Sequence, residues 1–465
     1  MGEAPMVDVA PSVLEVGLQR SPSPSAAPSG GSSLAELAER AGVRFLLATF
    51  VDLSGKPCAK LVPVEAVQML QDQGVGFAGY AAGLLGQRPC DPDVMAMPDA
   101  SSFTPLPWIR EGLAMVHCDP HVEGEPWPYA PRVVLRRVLE RLRARGLSAQ
   151  AGGEAEYFLV RRGADGGLVT ADSRDTSPRP CYDARDLTRM FDHLAEVSVA
   201  LNALGWSNYA NDHEDGNGQF EQNFLHADPL VTADRLITFR YLVHVLAERR
   251  DMIATFMPKP FSGRTGSGLH LHLSLWGEGG PLFPAAADPR GLGLSPLAYR
   301  FVGGLLEHAA GLQAVLGPTV NSYKRTSAPM TSSGATWAPT AATYGGNDRT
   351  HLIRVPDGDR VEVRACDGAA NPYLALAALL TAGLDGIDRE LDPGEPGSGE
   401  GPPVPPTLHH AADALAADPV VRGALDAAAS EHDVSGYYVE AKRQEFLAWH
   451  SQVSAAEVDQ YLTAF

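Results

Sequence analysis

Two imidazoles and a hydroxyl stand at alternate positions in Leu269-His-Leu-His-Leu-Ser-Leu275. Alternation at period two is the pattern of a strand whose leucines face a core, so His270, His272 and Ser274 project together from the other face. Paired histidines on a strand face are placed to bind something, and such a strand is a candidate active-site floor. Gly152-Gly-Glu154-Ala-Glu156-Tyr-Phe-Leu sets two carboxylates at i and i+2, again on one face, although a solvated strand face looks the same. His213-Glu214-Asp-Gly-Asn-Gly-Gln-Phe-Glu221 brackets a glycine-containing turn with two more, as an ordinary acidic hairpin loop also does. Arg360-Val-Glu362-Val-Arg364 alternates as a surface salt-bridge ladder would. Asn321-Ser-Tyr-Lys-Arg325 and Arg349-Thr-His-Leu-Ile-Arg354 supply three arginines. They suit a solvated basic patch, but the guanidinium fork equally suits phosphate or carboxylate.

Together these segments carry five Glu, four His and five Arg, most of them on strands or turns with apolar backs. Carboxylates converging on one cavity repel one another unless cations sit among them. Oxygen-rich sites with an occasional imidazole suit Mg²⁺ or Mn²⁺ rather than zinc or copper. Arginines beside hard cations are the equipment of phosphoryl transfer, where positioning and charge neutralisation do most of the catalysis. With no G-x-x-x-x-G-K-[ST] loop and no kinase signature in the sequence, ATP has to be held in another way.

The elements that must position these residues follow from pattern and composition. The 465 residues allow one large or two ordinary domains. Residues 1–32 end in a Ser/Pro/Gly-rich run that cannot bury enough apolar surface to order itself, and are read as a disordered tail. Ser33-Leu-Ala-Glu-Leu-Ala-Glu-Arg opens an amphipathic helix, and Val43 to Val51 is a strand-like run closed by Asp52, Ser54 and Gly55. A small β-rich N-terminal domain, 33–128, ends at Pro126-Trp-Pro-Tyr-Ala-Pro-Arg, after which a helical pattern runs from Val133 to about Arg145. Residues 129–465 form the larger unit, with a loose Pro/Gly segment from Asp392 to Pro406 before a helical C-terminus. The net charge of -19, spread along the chain, argues against nucleic acid or an anionic membrane as partner. No apolar run reaches the roughly 18 residues of a membrane helix, no signal-peptide pattern opens the chain, and a cytoplasmic protein acting on small molecules is expected. The five cysteines are scattered and form no C-x-x-C pair, which disfavours a disulfide framework or zinc knuckle.

In these motifs the chain resembles the glutamine synthetase family. The matching stretches are Gly153-Glu-Ala-Glu-Tyr-Phe-Leu, the Asn211 to Phe224 run, Phe256-Met-Pro-Lys-Pro with Gly266-Ser-Gly-Leu-His-Leu-His-Leu-Ser-Leu, Asn321-Ser-Tyr-Lys-Arg, and Arg360 through Ala370-Asn-Pro-Tyr-Leu-Ala. They occur in order from about residue 35 onward. Phe50-Val-Asp-Leu-Ser-Gly-Lys-Pro-Cys-Ala-Lys and Ser333-Gly-Ala-Thr-Trp-Ala-Pro resemble the type III glutamate-ammonia ligases, a subgroup that includes γ-glutamylmethylamide synthetases. The resemblance implies an α+β fold: a β-grasp-like N-terminal domain, then a catalytic domain with a curved antiparallel sheet and flanking helices, shared with guanidino kinases. It implies one metal on Glu156, Glu214 and Glu221 and a second on Glu154, His270 and Glu362, filled by Mg²⁺ or Mn²⁺, with ATP as co-substrate. His272 and Ser274 would lie toward the nucleotide. Arg325 would grip the glutamate carboxylate, while Arg349, Arg354 and Arg364 would serve the phosphates and the transferring group, with Glu214 also in the catalytic set. ATP would phosphorylate the γ-carboxylate of glutamate, and an amine would displace phosphate. Two stacked six-membered rings with active sites between subunits, a homododecamer, are implied as well.

The chain departs from the ammonia-using bacterial enzymes near the amine. After Arg325 it reads Thr-Ser-Ala-Pro-Met-Thr-Ser-Ser-Gly, without the flap glutamate of those enzymes, which leaves room for an alkyl group. Ser267 replaces a common asparagine, and no tyrosine near 395–405 offers an adenylylation site. Asp52 lies near the place where the family lends an aspartate to the neighbouring subunit, and is carried as a catalytic candidate. The expected activity is ligation of L-glutamate to ammonia, with an alkylamine as the rival nucleophile. A catalytically silent nitrogen-sensing homologue and a guanidino kinase are the readings from other classes.

Overall fold

The computed structural model describes residues 32–326, 337–429 and 431–465. Residues 1–31 of the expected tail and the flap segment 327–336 lie outside the described residues.

Ser33 caps the helix Leu34–Arg40 reciprocally: its side chain accepts from the Glu36 amide while the Glu36 carboxylate accepts from the Ser33 amide. Phe45–Val51 then enters a seven-stranded sheet, antiparallel to Pro57–Pro63 and parallel to Leu113–Val122. Leu113–Val122 also pairs with Val94–Pro98, which pairs with Val75–Phe77. Leu34, Leu46, Ala48, Leu70 and Val116 form the centre of an apolar cluster drawn from residues 34–118.

A ten-stranded sheet holds the chemistry. Its main path runs Asn208–His213, Gln219–Phe224, Ser148–Arg162, Leu269–Gly277, Val361–Val363, Ile353–Arg354, Tyr344–Gly345. Neighbours along this path are antiparallel except the last pair. Leu269, Leu271, Leu273 and Leu275 are buried against the larger apolar cluster, each burial contributing about 1.5–3 kcal/mol, and the histidines are thereby turned the other way. Helices Pro131–Arg143, Pro229–Glu248 and Pro372–Asp388 supply the rest of that core. Each starts with proline, which needs no amide partner in the first turn, and Asp228 and Asn371 cap the latter two. The architecture is α+β, as expected. The segment 392–406 carries no helix or strand.

One placement differs from expectation. Arg325, read as lying on a strand or turn, sits on the short helix Ser322–Thr326. Reciprocal hydrogen bonds between Thr319 and Ser322 wind the chain into a helical turn at that point.

Candidate active site

Strand register assembles the site. Glu221 stands opposite Glu156, Glu154 opposite His270, and His272 opposite Glu362 on successive antiparallel pairs. Asp212 faces Glu221 at one end of this row and Arg354 faces Glu362 at the other. The row lines a cavity of about 480 Å³, reached also by Glu214, Arg325, Arg349 and Arg364. Glu362 lies beneath it, fully buried, its two oxygens each accepting from a guanidinium, Arg354 on one and Arg364 on the other. A second cavity, of about 400 Å³, holds Ser274 and shares Glu154, His272 and Arg360 with the first.

Glu156, Glu214 and Glu221 each bring an oxygen within 4.8 Å of the others, as predicted for one cation site. Burial pushes the Glu214 carboxyl up to about 8, and the charges of Glu156 and Asp212 add to it. Burial drives Glu221 well above the ordinary carboxylate range too, with Glu214, Glu154 and Glu156 adding to it. The predicted second set gathers around His270, whose Nδ1 lies 3.6 Å from Glu154 and 3.8 Å from Glu362, while Nε2 lies 3.7 Å from Glu156. These separations are too long for hydrogen bonds but close to the spacing of ligands that share a small divalent cation. Burial opposes ionisation of Glu154, but His270 and His272 outweigh it and hold this carboxyl far below its usual value. Gly268 keeps the centre open: a Cβ there would fall 2.8 Å from His270 Nε2 and 3.3 Å from Glu156 Oε1. The donor set and this cradle fit hard divalent cations.

His272 belongs to a different role. Its Nε2 lies 3.1 Å from Glu154, and with Glu154 and Glu362 it forms a further metal-competent triplet. Arg360 Nε, however, donates to His272 Nδ1 at 3.1 Å, which leaves the proton on Nε2. A protonated Nε2 is no ligand, so His270 is the better imidazole for the second cation.

Arg325 is buried at the cavity wall and donates to the carbonyls of Arg364 and Ala365. Arg349 is exposed at the rim, and its carbonyl accepts from Arg364 Nε. Asp52 is not brought into either cavity of its own chain. Its carboxylate accepts from the amides of Ser54, Lys56 and Leu84 and from the Ser54 hydroxyl, organising the turn, while its carbonyl accepts from Asn371 Nδ2. Among the residues given no role from sequence are Asp212, Arg360 and Lys259, which line the cavity, and Gln219, buried behind it. Asp212 lies two positions before Glu214 and Arg360 two before Glu362, each pair straddling the end of a strand. Gln219, which donates to Glu156 at 2.8 Å, and Lys259 carry no local pattern that marks them.

Residues 128–461 match the family described as "Glutamine synthetase, catalytic domain". The chain belongs to the glutamine synthetase family. It is 42% identical over 439 residues to a glutamine synthetase of Rhizobium leguminosarum bv. phaseoli, covering 92% of this chain and 99% of the relative. It is 41% identical to a glutamate–methylamine ligase of Methyloversatilis universalis, covering 91% and 97%. A solved GmaS/ADP complex superposes with a TM-score of 0.87 at 46% identity, covering 93% of this chain and all of that one. As a member of the glutamine synthetase family the protein is an ATP-dependent ligase, and the family implies use of a divalent metal. No described helix is long and apolar enough to cross a membrane.

Proposed function

We propose that this enzyme joins the γ-carboxylate of L-glutamate to ammonia or a small primary amine through γ-glutamyl phosphate. The observation that carries the reading is the row of carboxylates and His270 at the floor of the cavity, facing arginines on its walls. Glu156, Glu214 and Glu221 would hold one Mg²⁺ or Mn²⁺, and Glu154, His270 and Glu362 a second. Bound there, the cations would neutralise phosphate charge during transfer. Arg325 orients glutamate by its carboxylate. A γ-carboxylate oxygen of glutamate attacks the terminal phosphorus of ATP and ADP leaves, because a free carboxylate offers no leaving group of its own. Arg349, Arg354 and Arg364 steady the transferring group. The amine nitrogen then attacks the acyl carbon and expels phosphate, which carries away the proton the nitrogen loses. The second cavity, with His272 and Ser274, suits the nucleotide.

An alkylamine as preferred nucleophile is the second reading. Trp337 and Ala338 bring apolar surface into an otherwise polar cavity, and the Trp337 indole donates to Asp215 at 2.9 Å. The likeness to a glutamate–methylamine ligase supports it as well.

The domain division at 33–128 and 129–465 is supported by the separate apolar cluster of residues 34–118 and by the family match from residue 128. A homododecamer with sites between subunits, in which Asp52 would serve a neighbour, is supported by Leu447, Val453, Leu462 and Phe465, large apolar residues exposed on a single chain. Five free cysteines fit the cytoplasm.

The test is ATP- and glutamate-dependent phosphate release with ammonium, methylamine, ethylamine, ethanolamine and putrescine, products being identified by mass. Fastest turnover with ammonium makes the enzyme a glutamine synthetase, and preference for an alkylamine makes it a γ-glutamylamide synthetase. No phosphate release with any amine would sink the ligase reading in favour of a silent homologue.

A further inference from the structure

We propose that Asp175, which lines neither cavity, is a positioning residue that holds the Glu214–Glu221 hairpin in the form able to grip a divalent cation. The proposal rests on the reading of Glu156, Glu214 and Glu221 as ligands of one cation. Glu214 and Glu221 lie on either side of a tight connection between Asn208–His213 and Gln219–Phe224. A cation can take an oxygen from all three carboxylates only if Glu214 and Glu221 stay in register with Glu156, so something outside the cluster has to fix this connection.

Asp175 makes the required contacts from behind. It is buried, with 5% of its surface exposed. Its Oδ2 accepts from His213 Nε2 at 2.8 Å, on the residue before Glu214, and from the Gly218 amide at 2.5 Å. Its Oδ1 accepts from Asn217 Nδ2 at 2.8 Å. One carboxylate thus joins the last residue of the incoming strand to the two residues before the outgoing one. His213 passes the restraint on, because its Nδ1 donates at 2.8 Å to the carbonyl of Glu214. Gly218 permits it, because its φ of +81° belongs to glycine and a Cβ there would meet the Leu159 carbonyl at 3.2 Å. The segment after Asp175 lies along the same loop: Asn217 Nδ2 also donates to the Ser177 carbonyl at 3.0 Å, and the Tyr182 amide to the His213 carbonyl at 2.9 Å. Tyr182 itself lines the cavity, so its amide bond to His213 ties the same loop to a wall of the substrate space. Nothing in this set of contacts touches Glu154, His270 or Glu362, which predicts an effect on one cation and not the other.

The experiment is a Mn²⁺ titration of the intact, nucleotide-free protein, read by calorimetry and by the electron paramagnetic resonance of free Mn²⁺. Wild type is expected to take up two ions per chain. Asp175→Ala should weaken one of them by about 10–100-fold, the range for loss of a group that orients a metal ligand, and leave the other unchanged. Asn217→Ala removes one of the three donors to Asp175 and should shift the same ion by less, which keeps the proposal testable should Asp175→Ala fail to fold. Equal weakening of both ions together with a lower melting temperature would mean a general structural role and would overturn the proposal. So would wild-type affinities in both variants. A wild-type protein that binds no Mn²⁺ would overturn the two-cation reading beneath it, so the two failures are distinguishable.

Discussion

Gln219 Nε2 donates to Glu156 Oε2 at 2.8 Å, and the Gly268 amide donates to the same oxygen at 2.9 Å. With Oε2 engaged twice, the carboxylate is turned so that Oε1 faces His270 Nε2 across the open centre. The same amide nitrogen of Gln219 reaches the Gly266 carbonyl at 3.1 Å, and its side-chain oxygen accepts from the Gly216 amide at 3.0 Å. Gln219→Ala should therefore release Glu156, the turn after Glu214 and the glycine segment together. A stability loss of about 1–3 kcal/mol in urea denaturation is expected from the orphaned buried groups. Mn²⁺ affinity and turnover should fall by about 10–100-fold. Unchanged Mn²⁺ affinity would show that Glu156 needs no such anchor.

Glu362 has two functions that a single substitution separates poorly. It is a predicted cation ligand and also the shared counter-ion of Arg354 and Arg364. Glu362→Ala strips two guanidiniums of their buried partner and should cost about 3–5 kcal/mol of stability as well as activity. Glu362→Gln keeps the shape and one acceptor oxygen, so it should abolish phosphate release with a smaller loss of melting temperature. Turnover retained in the Gln variant would remove Glu362 from the ligand set.

Cation binding should be strongly pH-dependent. Burial and neighbouring carboxylates raise Glu214 from 4.5 to about 8 and Glu221 well above its usual value, so near neutrality the cation-free site holds protons that a cation must displace. Affinity for Mn²⁺ should rise between about pH 6 and 8, with net proton release in calorimetry run in buffers of different ionisation enthalpy. The linkage has a second consequence. Between pH 4.5 and about 8 the folded state binds more protons than the unfolded chain, so stability of the cation-free protein should fall as pH rises. Added cation should flatten that slope. A pH-independent affinity would contradict the clustering of these carboxylates.

Far from the cavity, His308 sits between Asp418, 2.8 Å from its Nδ1, and Asp385, 2.9 Å from its Nε2. Burial works to lower its pKa, but the two carboxylates outweigh it and raise the value above 6.5. A raised histidine contributes stability that is complete below pH 6.5 and is lost as pH climbs through the folded value. Denaturation midpoints of wild type should decline over that window more steeply than those of His308→Gln. Parallel profiles would show that the histidine is not charged in the fold.

Much of the site could be read before any fold was known. Alternation in Leu269–Leu275 put His270 and His272 on one face, the spacing of Glu154 and Glu156 did the same, and the glycines between Glu214 and Glu221 marked a hairpin. All three are consequences of local backbone geometry, in which side chains of a strand alternate whatever lies beyond it. Family likeness then supplied the grouping of ligands, which no spacing contained. Tertiary structure alone decided that Glu221 meets Glu156, Glu154 meets His270 and His272 meets Glu362. Each pairing joins strands far apart in sequence, and its register is set by leucines that must stay in the core, since a slip of one residue would turn every ligand into it. The same long-range packing brought Gln219 against Glu156, Asp175 against His213 and Arg360 against His272.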